Sequence, residues 1–426
     1  MFKVHRPRFF LPRLPMGILI ASFGNSGVEQ WYKAATQRTF PKPIAASNRK
    51  KTVSGLSTMG EIAEVPKQAK AIVYDNPGTI STKVVTVDVP EPGPGEVLIN
   101  LTHSGVCHSD YGIMTNKWKN LPAPTAAGQV GGHEGVGKVV KLGPGTESSG
   151  VELGARVGVK WLQYACGNCE PCGAGVDACC VKSKVSGYYS PGTFQQYVTS
   201  PASYVTPIPD SLPSDLAAPL LCAGVTVYSA LKRSQARPGD WVIISGAGGG
   251  LGHIATQLGS RGLGHRIIGI DHGSKRDIVL ESGAEHFIDI TQFTDNEPKG
   301  GKLAEHVQSL TGGLGAHAVI VCTSSNAAYA QGMYLLRMNG VLVCVGIPEN
   351  VPLPIGSSFP AHLIGKQLSI VGSAVGTKRE SIETMEFGAR GIIQVHFRTE
   401  KMDALTDVFK EMERGDLKGR VVLDLS

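Results

Sequence analysis

Several common structural signals are missing from this chain of 426 residues. Its 54 glycines follow no G-x-y period, which excludes a collagen-like protein. The apolar run MGILIASF is too short to span a membrane, and no secretory signal or internal repeat is visible. With 42% hydrophobic and 18% charged residues, the composition is that of a soluble globular protein long enough for two domains.

Acidic residues are nearly absent from residues 1–58. This segment contains one acidic residue, Glu29, and ten lysines and arginines, so its net charge is +9. The rest of the chain has 31 basic and 34 acidic residues, a net charge of −3, which argues against a nucleic-acid partner. The basic extension reads as a mitochondrial transit peptide, although three early prolines would interrupt an amphipathic helix. A disordered tail and a true start at Met59 are the alternatives. The predicted location is therefore the cytoplasm, or the mitochondrial matrix if the extension is a transit peptide.

Two regions with different secondary-structure patterns follow the extension. From about Lys70, short β runs such as KAIVY and EVLINLTHSG are broken by glycine and proline, which predicts an irregular, mostly antiparallel β domain. From about Pro213, apolar strands such as WVIISG and RIIGID alternate with helix-length segments, which predicts a doubly wound parallel sheet. We therefore expect an α/β protein with a β domain over 59–223, a parallel-sheet domain over 224–370 and a C-terminal return to the first domain over 371–426.

A dinucleotide site is predicted at WVIISGAGGGLGHIATQLGSRGLGHRIIGID, where a strand leads into a glycine loop, a helix and a second strand. The loop, G-A-G-G-G-L-G, is one residue longer than G-x-G-x-x-G, but its glycines suit close approach to a pyrophosphate at a helix N-terminus. Asp271 lies 19 residues after Gly252, where a carboxylate accepts from ribose hydroxyls and favours NAD over NADP. The nearby Lys275 and Arg276 leave some use of NADP open.

The segment CGNCEPCGAGVDACC has the spacing of a metal site. Nine cysteines, an odd number, without a secretory signal favour metal ligation over a disulfide framework. Four thiolates would close a tetrahedral zinc site with a structural role, from Cys166, Cys169, Cys172 and Cys180. Cys179 could replace Cys180, and an iron–sulfur cluster is the alternative to zinc.

A second set of metal ligands begins in GVCHSDYG. A nucleophilic Cys107 would need a histidine from across the fold, since its neighbour His108 points elsewhere. Downstream, GGHEGVG offers His133 and PLLCAGVTVYSAL offers Cys222. Two thiolates and one imidazole leave one tetrahedral position open, as in a catalytic zinc site. Taken singly, each residue is more often a buried thiol or a hydrogen-bonded core histidine.

The motifs CHSD, GGHEGVG, the cysteine ladder, CAGVTVYSAL and the glycine loop occur in the order found in zinc-dependent alcohol dehydrogenases. With GTFQQY, VLVCVGIP, IVGS and GRVV, the chain most resembles the fungal, yeast-type medium-chain enzymes from about Val65 to Ser426. The resemblance implies a GroES-like catalytic domain beside a Rossmann domain. It also implies reversible hydride transfer between small primary or secondary alcohols and NAD, two zinc ions per subunit, and a homotetramer without membrane or nucleic-acid partners.

For the catalytic zinc, the resemblance implies three ligands, Cys107, His133 and Cys222. Glu134 is then the carboxylate that approaches the metal during ligand exchange. Asp110 is the partner that orients the histidine ligand. These roles follow from matching motifs residue by residue, and spacing alone does not establish them.

For substrate and cofactor, the resemblance implies that Ser109 takes the alcohol proton and that Trp118 and Trp161 narrow the pocket. The proton-relay base of the family falls at position 112, which is Gly112 here, so that water or a histidine such as His108 would have to replace it. Implied cofactor contacts are His108, Ser109, Thr226, Gly249, Gly250, Leu251, Asp271, Lys275, Val345, Ile347, Ser373, Val375 and Lys378. Lys378 stands where relatives carry a phosphate-binding arginine and lacks its bidentate fork.

Three other functions compete with this interpretation. A polyol or aromatic-alcohol dehydrogenase could use the same scaffold, although the tryptophan pair favours small substrates. A non-catalytic nucleotide-binding protein of the zinc-free branch would lack the ligands Cys107, His133 and Cys222. A zinc-finger-like nucleic-acid module is suggested only by the cysteine ladder, and the acidic body of the chain disfavours it.

Overall fold

The structure is a computed structural model that describes residues 64–118, 121–293, 300–348 and 353–426. The predicted N-terminal extension, 1–58, lies outside the described residues. The strands are β1 (Gln68–Tyr74), β2 (Thr82–Asp88), β3 (Glu96–Val106), β4 (Gly135–Leu142), β5 (Arg156–Val159), β6 (Leu162–Tyr164), β7 (Lys184–Val185), β8 (Tyr197–Pro201), β9 (Thr206–Pro207), β10 (Trp241–Ser245), β11 (Arg266–Asp271), β12 (His286–Asp289), β13 (Ala316–Val321), β14 (Leu336–Cys344), β15 (Ser369–Gly372), β16 (Phe397–Lys401) and β17 (Arg420–Asp424).

The helices lie mostly in the second half of the chain. The α-helices are α1 (His108–Met114), α2 (Glu170–Gly173), α3 (Ser214–Pro219), α4 (Val225–Arg233), α5 (Gly252–Gln257), α6 (Arg276–Glu281), α7 (Gly301–Leu310), α8 (Asn326–Gly332), α9 (Pro360–Lys366), α10 (Lys378–Ala389) and α11 (Leu405–Arg414). Two π-helical turns, Leu220–Gly224 and Leu258–Gly262, continue α3 and α5. Short 3₁₀ turns lie at Asp177–Cys179, Gly273–Lys275, Ile290–Gln292, Met333–Leu335 and Met402–Ala404.

The first region is an irregular β structure, as predicted. β1 and β2 form an antiparallel ribbon, β6 and β7 form another, and a larger sheet has the order β16-β17-β3-β4-β5-β9 with β8 also paired to β3. β17, the last strand of the chain, pairs antiparallel with β3 and lies between β3 and the edge strand β16. The short, glycine-interrupted runs explain these brief strands, because each glycine permits a turn or bulge that ends regular pairing.

The second region is a six-stranded parallel sheet of order β12-β11-β10-β13-β14-β15, which confirms the predicted doubly wound fold. Its central strand β10, WVIIS, is buried along its whole length. Val242 and Ile244 pack into one hydrophobic cluster, whereas Trp241 and Ile243 pack into another on the opposite face. This alternation explains the continuous apolar run, since helices cover both faces of the sheet.

The chain reverses its direction of travel across this sheet between β10 and β13. β11 and β12 extend from one side of β10, while β13, β14 and β15 extend from the other. Ligands of doubly wound sheets bind outside the carboxyl ends of the strands at such a switch point. The predicted glycine loop leaves β10 at this end, and Asp271 closes the neighbouring β11.

One helical stretch among the described residues, Ser214–Arg233, is long and apolar enough to span a membrane by length and composition. Within its most apolar window, 83% of the stretch is buried inside the protein. A buried core helix passes the same test, so this stretch is weak evidence for a membrane span. It carries the predicted ligand Cys222 in its π-helical turn.

Candidate active site and metal centres

Cys107 stands at the junction between β3 and α1, where it is the N-cap residue of the helix. The carboxylate of Asp110 accepts a hydrogen bond from the Cys107 backbone N–H at 2.9 Å, which completes a capping box. The other carboxylate oxygen lies 2.8 Å from Nδ1 of His133. The C-x-x-D spacing therefore starts a helix and fixes the orientation of a distant imidazole with one side chain.

Four side chains converge at this junction. Donor atoms of Cys107, His133, Glu134 and Cys222 lie within 4.8 Å of one another. The sulfurs of Cys107 and Cys222 are 3.9 Å apart, close to the spacing of about 3.8 Å that a tetrahedral Zn–S distance of 2.3 Å requires. With Nδ1 held by Asp110, Nε2 of His133 is buried and has no hydrogen-bond partner. The donor set fits a zinc ion.

The electrostatics of the cluster favour one thiolate, at Cys107, because the hydrogen bond between the two cysteines raises the pKa of Cys222. Hydrogen bonding with the Cys222 thiol, and then the neighbouring His133 ring, holds the pKa of Cys107 well below its ordinary value against the opposing effect of burial. A metal requires deprotonated cysteine, so a lowered pKa assists ligation.

Glu134 is fully buried beside the donors, and burial raises the pKa of its carboxyl to about 7 against the opposing charge of Arg420. One carboxylate oxygen pairs with the Arg420 guanidinium, while the other has no hydrogen-bond partner. A Cβ atom at Gly105 would overlap this carboxylate, which explains the glycine in HSGVC. The oxygen paired with Arg420 lies 4.0 Å from Nε2 of His133, whereas the oxygen without a partner lies against Gly105.

Sequence reasoning assigned no role to Arg420. Its side chain is 7% exposed, and its Cδ would lie 3.0 Å from a Cβ atom at Gly250 of the glycine loop. It therefore joins the candidate metal site to the candidate phosphate loop. The only signal in the sequence is a charge at the start of an apolar strand, because its partner Glu134 is 286 residues away.

The cysteine ladder forms a second cluster with Cys166, Cys169, Cys172 and Cys180 within 4.8 Å of one another. The Cys180 sulfur lies 3.6 Å from that of Cys166 and 3.9 Å from that of Cys169. This compactness fits one tetrahedral ion better than an iron–sulfur cluster, in which different irons hold the sulfurs further apart. Cys180 is buried and joins the cluster, whereas Cys179 is exposed.

Aromatic rings form one wall of the first cluster. The Trp161 ring meets that of His133 edge to face at a centroid distance of 4.9 Å, and Trp118 meets Trp161 in the same way at 5.6 Å. A Cβ atom at Gly112 would lie 2.6 Å from Nε1 of Trp118. The space of a side chain at position 112 is therefore occupied by the Trp118 indole, and a histidine there would displace it.

Ser109 lies beside the donor cluster, and the glycine loop lies at the start of α5. Oγ of Ser109 is 3.6 Å from the Cys107 sulfur, next to the donor cluster. Gly249 and Gly250 lie in the loop before Leu251, the N-cap residue of α5. A Cβ atom at Gly252 would overlap the Gly246 carbonyl, which explains the tight glycine spacing.

Asp271 lines a cleft of about 210 Å³ at the carboxyl ends of β10, β11 and β13. Its carboxylate accepts from the backbone N–H of Gly248 at 2.8 Å, and Nζ of Lys275 lies 4.0 Å away. These contacts tie the end of β11 to the glycine loop.

Two of the remaining predicted cofactor residues lie at the same edge of the sheet. Val345 and Ser373 directly follow β14 and β15, and the backbone N–H of Ser373 donates to Cys344. Oγ of Ser373 is buried without a hydrogen-bond partner. Thr226 is buried in α4, Ile347 is 54% exposed, and Val375 has a positive φ of 44°. His108 is exposed on α1.

Lys378 contacts the cysteine-ladder side of the protein. Its ammonium donates to the Ser203 carbonyl at 2.6 Å, and its backbone N–H donates to Asp177 at 3.1 Å. Its predicted contact with a cofactor phosphate stays a prediction.

Comparison with known proteins agrees with these features. Residues 93–210 match the family model for the alcohol dehydrogenase GroES-like domain, and residues 250–390 match that for zinc-binding dehydrogenases. Alcohol dehydrogenase 2 of Emericella nidulans is 67% identical over 367 residues, which cover 85% of this chain and 99% of the relative. An alcohol dehydrogenase of Schizosaccharomyces pombe is 39% identical over 84% of this chain and 98% of the relative.

A solved structure gives the same fold. Acetophenone reductase from Geotrichum candidum, in complex with NAD, superposes with a TM-score of 0.71 at 25% identity and covers 85% of this chain and 98% of its own. Two family models and a relative of 67% identity, added to the donor cluster and the glycine loop, establish the family. The chain belongs to the zinc-dependent medium-chain alcohol dehydrogenases, NAD-linked enzymes that interconvert alcohols and carbonyl compounds.

Proposed function

We propose that this alcohol dehydrogenase acts on small primary and secondary alcohols. The observation that carries this proposal is the edge-to-face series of His133, Trp161 and Trp118, which leaves bulky indoles beside the candidate metal ligand. The alternative, a polyol or aromatic-alcohol dehydrogenase, would need a wider substrate pocket. The test is kcat/KM for ethanol, propanol, butanol and benzyl alcohol with and without a chelator. A preference for benzyl alcohol would favour the alternative, and no rate with any of them would overturn the proposal.

The proposed chemistry assigns each residue a distinct task. When bound, zinc supplies a Lewis acid that lowers the pKa of an alcohol hydroxyl, and NAD supplies the hydride acceptor. Cys107, His133 and Cys222 would hold the metal, and Asp110 keeps the proton on Nδ1 of the histidine so that Nε2 offers its lone pair. The hydroxyl of Ser109, beside the Cys107 sulfur, would receive the alcohol proton.

The cofactor would lie along the carboxyl edge of the parallel sheet. The glycine loop, with Gly249, Gly250 and Leu251, would accept the pyrophosphate at the start of α5, and Asp271 would accept from the adenosine ribose. Arg420, beside Gly250, would add a positive charge near the phosphates. Replacing Asp271 with Ser would reduce the preference for NAD over NADP, measured as a ratio of kcat/KM values.

We infer two zinc ions per subunit, one in each cluster. The donor distances of both clusters support this number. Metal analysis of the purified protein should give two zinc ions per chain, and one would point to a merely structural metal.

A homotetramer is the proposed assembly. β15 pairs only with β14 among the described strands and lies at the edge of the sheet. Near this edge, Ile364 of α9 is 76% exposed and Phe359 is 48% exposed. Light scattering should give the mass of four chains, and Ile364→Glu should reduce it if this edge is an interface. A monomer would overturn the proposal.

The domain limits 59–223, 224–370 and 371–426 also stay proposals, supported by the span of β10–β15 and by the pairing of β17 with β3. The location is the cytoplasm unless residues 1–58 direct the chain to the mitochondrial matrix. Fusion of residues 1–58 to a fluorescent protein would decide between the two.

A further inference from the structure

A single carboxylate joins the cysteine ladder to the helix that follows the parallel sheet. Asp177 lies in the segment from Cys166 to Cys180, called the metal lobe below. One of its carboxylate oxygens accepts from the Tyr204 hydroxyl at 2.8 Å and from the backbone N–H of Lys378 at 3.1 Å. Lys378 is the first residue of α10, so the metal lobe binds an otherwise unpaired N–H at a helix start.

Two further bonds fasten the same helical turn. The Lys378 ammonium donates to the Ser203 carbonyl at 2.6 Å. One turn later, the hydroxyl of Ser381 lies 3.0 Å from that of Thr206, and both side chains are buried. The first turn of α10 is thus held by the metal lobe and by residues 203–206.

Beneath this contact lies Lys160, which is 2% exposed and immediately precedes Trp161 of the pocket wall. Its ammonium donates to the Tyr204 carbonyl at 2.9 Å and lies 3.7 Å from the centroid of the Tyr204 ring. Burial lowers the pKa of Lys160 to about 7, while the negative charge of Asp177 opposes this shift. The second carboxylate oxygen of Asp177 is buried without a hydrogen-bond partner. The negative charge of Asp177 thus favours the ammonium form of Lys160, and opening the contact would remove this stabilisation.

The segment that α10 follows is strained. Between the end of β15 and the start of α10, Val375 has φ of 44°, a left-handed conformation that a β-branched residue rarely adopts. Such strain persists only where the surroundings enforce it, and it concentrates at functional sites. The turn 373–377 begins at the carboxyl edge of the sheet, where Ser373 keeps a buried hydroxyl without a partner.

We propose that Asp177 makes the metal lobe a positioning element for the cofactor, because it fixes the start of α10 and thereby holds the strained turn 373–377 in its binding conformation. This rests on the proposed cofactor contacts of Ser373 and Val375. The lobe then has two effects: it stabilises its own fold and it raises the affinity for NAD(H). Asp177 is a positioning residue, since it touches neither the donor cluster of Cys107 nor the glycine loop in the contacts of the described residues.

The test compares Asp177→Ala with two other variants. Asp177→Asn keeps an oxygen that can accept from the Tyr204 hydroxyl and from the Lys378 backbone N–H. Glu170→Ala removes an exposed carboxylate from the same lobe. The readouts are the Kd for NADH by fluorescence, zinc per subunit, and kcat at saturating NAD. Asp177→Ala should raise the Kd about fivefold or more with two zinc ions retained, in the usual range of coupling between sites. Asp177→Asn should recover most of the affinity, and Glu170→Ala should match the wild type.

Unchanged NADH affinity in Asp177→Ala with full zinc would overturn the proposal. If that variant loses zinc or fails to fold, Tyr204→Phe serves instead, because it removes one bond to Asp177 and keeps the ring under Lys160. A Kd equal to that of the wild type in Tyr204→Phe would then count against the proposal. Ser373→Ala distinguishes the cofactor contact of Ser373 from the positioning role of Asp177. If Ser373→Ala alters the Kd for NADH while the Asp177 variants do not, the cofactor contact is supported and the positioning role is wrong. If neither alters it, the contact itself is wrong.

Discussion

At the scale of single residues, Asp110 combines two tasks that are usually divided between side chains. One carboxylate oxygen caps α1 at Cys107 and the other orients His133. Because both partners are proposed metal ligands, this carboxylate links the local backbone geometry to the metal site. Loss of a side chain that orients a metal ligand commonly lowers metal affinity by about 10- to 100-fold.

We therefore expect Asp110→Ala to reduce zinc affinity in the first cluster by about 10- to 100-fold, measured by competition with a chelator. Ser325→Ala is the control, since Ser325 caps α8 through its side chain and has no metal ligand as a partner. The control should lose stability through its helix cap and retain its zinc. Equal zinc affinity in Asp110→Ala and the wild type would contradict the role assigned to Asp110.

Gly112 is best understood together with Trp118, whose indole fills the space of a side chain at that position. Gly112→Ala should lower Tm and kcat/KM for ethanol, because the new methyl group displaces the indole. In a Trp118→Ala background the same change should raise Tm, since alanine is favoured over glycine in a helix by about 1 kcal/mol. A shift of the same sign in both backgrounds would show that the two positions do not interact.

The proton route is affected by the same glycine. With no side chain at position 112 to accept a proton from Ser109, we expect turnover to rise with the concentration of a buffer base at fixed pH and ionic strength. Zwitterionic buffers of graded pKa, which bind zinc weakly, are the suitable probe. A rate independent of buffer concentration between pH 6 and 8 would indicate that His108 or another group already accepts the proton.

At the scale of elements, the start of α5 is fastened by His253. Its Nδ1 lies 2.8 Å from the Gly249 carbonyl and its Nε2 accepts from the backbone N–H of His396 at 3.3 Å, which uses both nitrogens of a neutral ring. Burial lowers the pKa of His253 to about 4. Protonation would remove the acceptor and release the glycine loop from the segment before β16.

The sign of the pH effect follows from that pKa. The folded value, about 4, is below the value of about 6.5 expected in the unfolded chain, so the stabilisation by His253 is complete above pH 6.5 and is lost as the pH falls toward 4. The free energy of unfolding of the wild type should thus approach that of His253→Gln between pH 7 and 5, in urea titrations at each pH. A constant difference between the two proteins would rule out titration of His253.

The elements also show how far sequence reasoning extends. The strands and the glycine loop were predictable, because runs such as WVIIS and the glycine spacing depend on local chemistry and on burial of the sheet. The ion pair of Arg420 with Glu134 was not, since nothing in the sequence relates positions 286 residues apart. The sequence also did not show why a glycine stands at position 112, because the reason depends on where the Trp118 side chain packs. Nor did it show the backbone strain at Val375, which depends on the contacts that hold both ends of its turn.

At the scale of the whole molecule, the C-terminal region completes the first domain. Arg420 of the C-terminal strand reaches the carboxylate beside the proposed catalytic ligands, and the metal lobe contacts the start of α10. Chelation should therefore have graded effects: a chelator that removes only the catalytic ion should abolish activity and leave Tm nearly unchanged, whereas loss of the lobe ion should lower Tm. Tm and zinc content recorded along one chelator titration would test this, and a single concerted loss of both would contradict it.

The position of β17 has a consequence for how the chain is made. This strand lies between β3 and β16, and it carries Arg420 within the last seven residues of the sequence. During synthesis, the edge of β3 that β17 covers stays open until residues 420–424 have been made, because β3 lies far earlier in the chain. Every proposed zinc ligand and the whole glycine loop precede β17 in the chain, so they are synthesised before the first sheet can close. A chain truncated before Arg420 would have an exposed strand edge at β3 and no guanidinium beside Glu134.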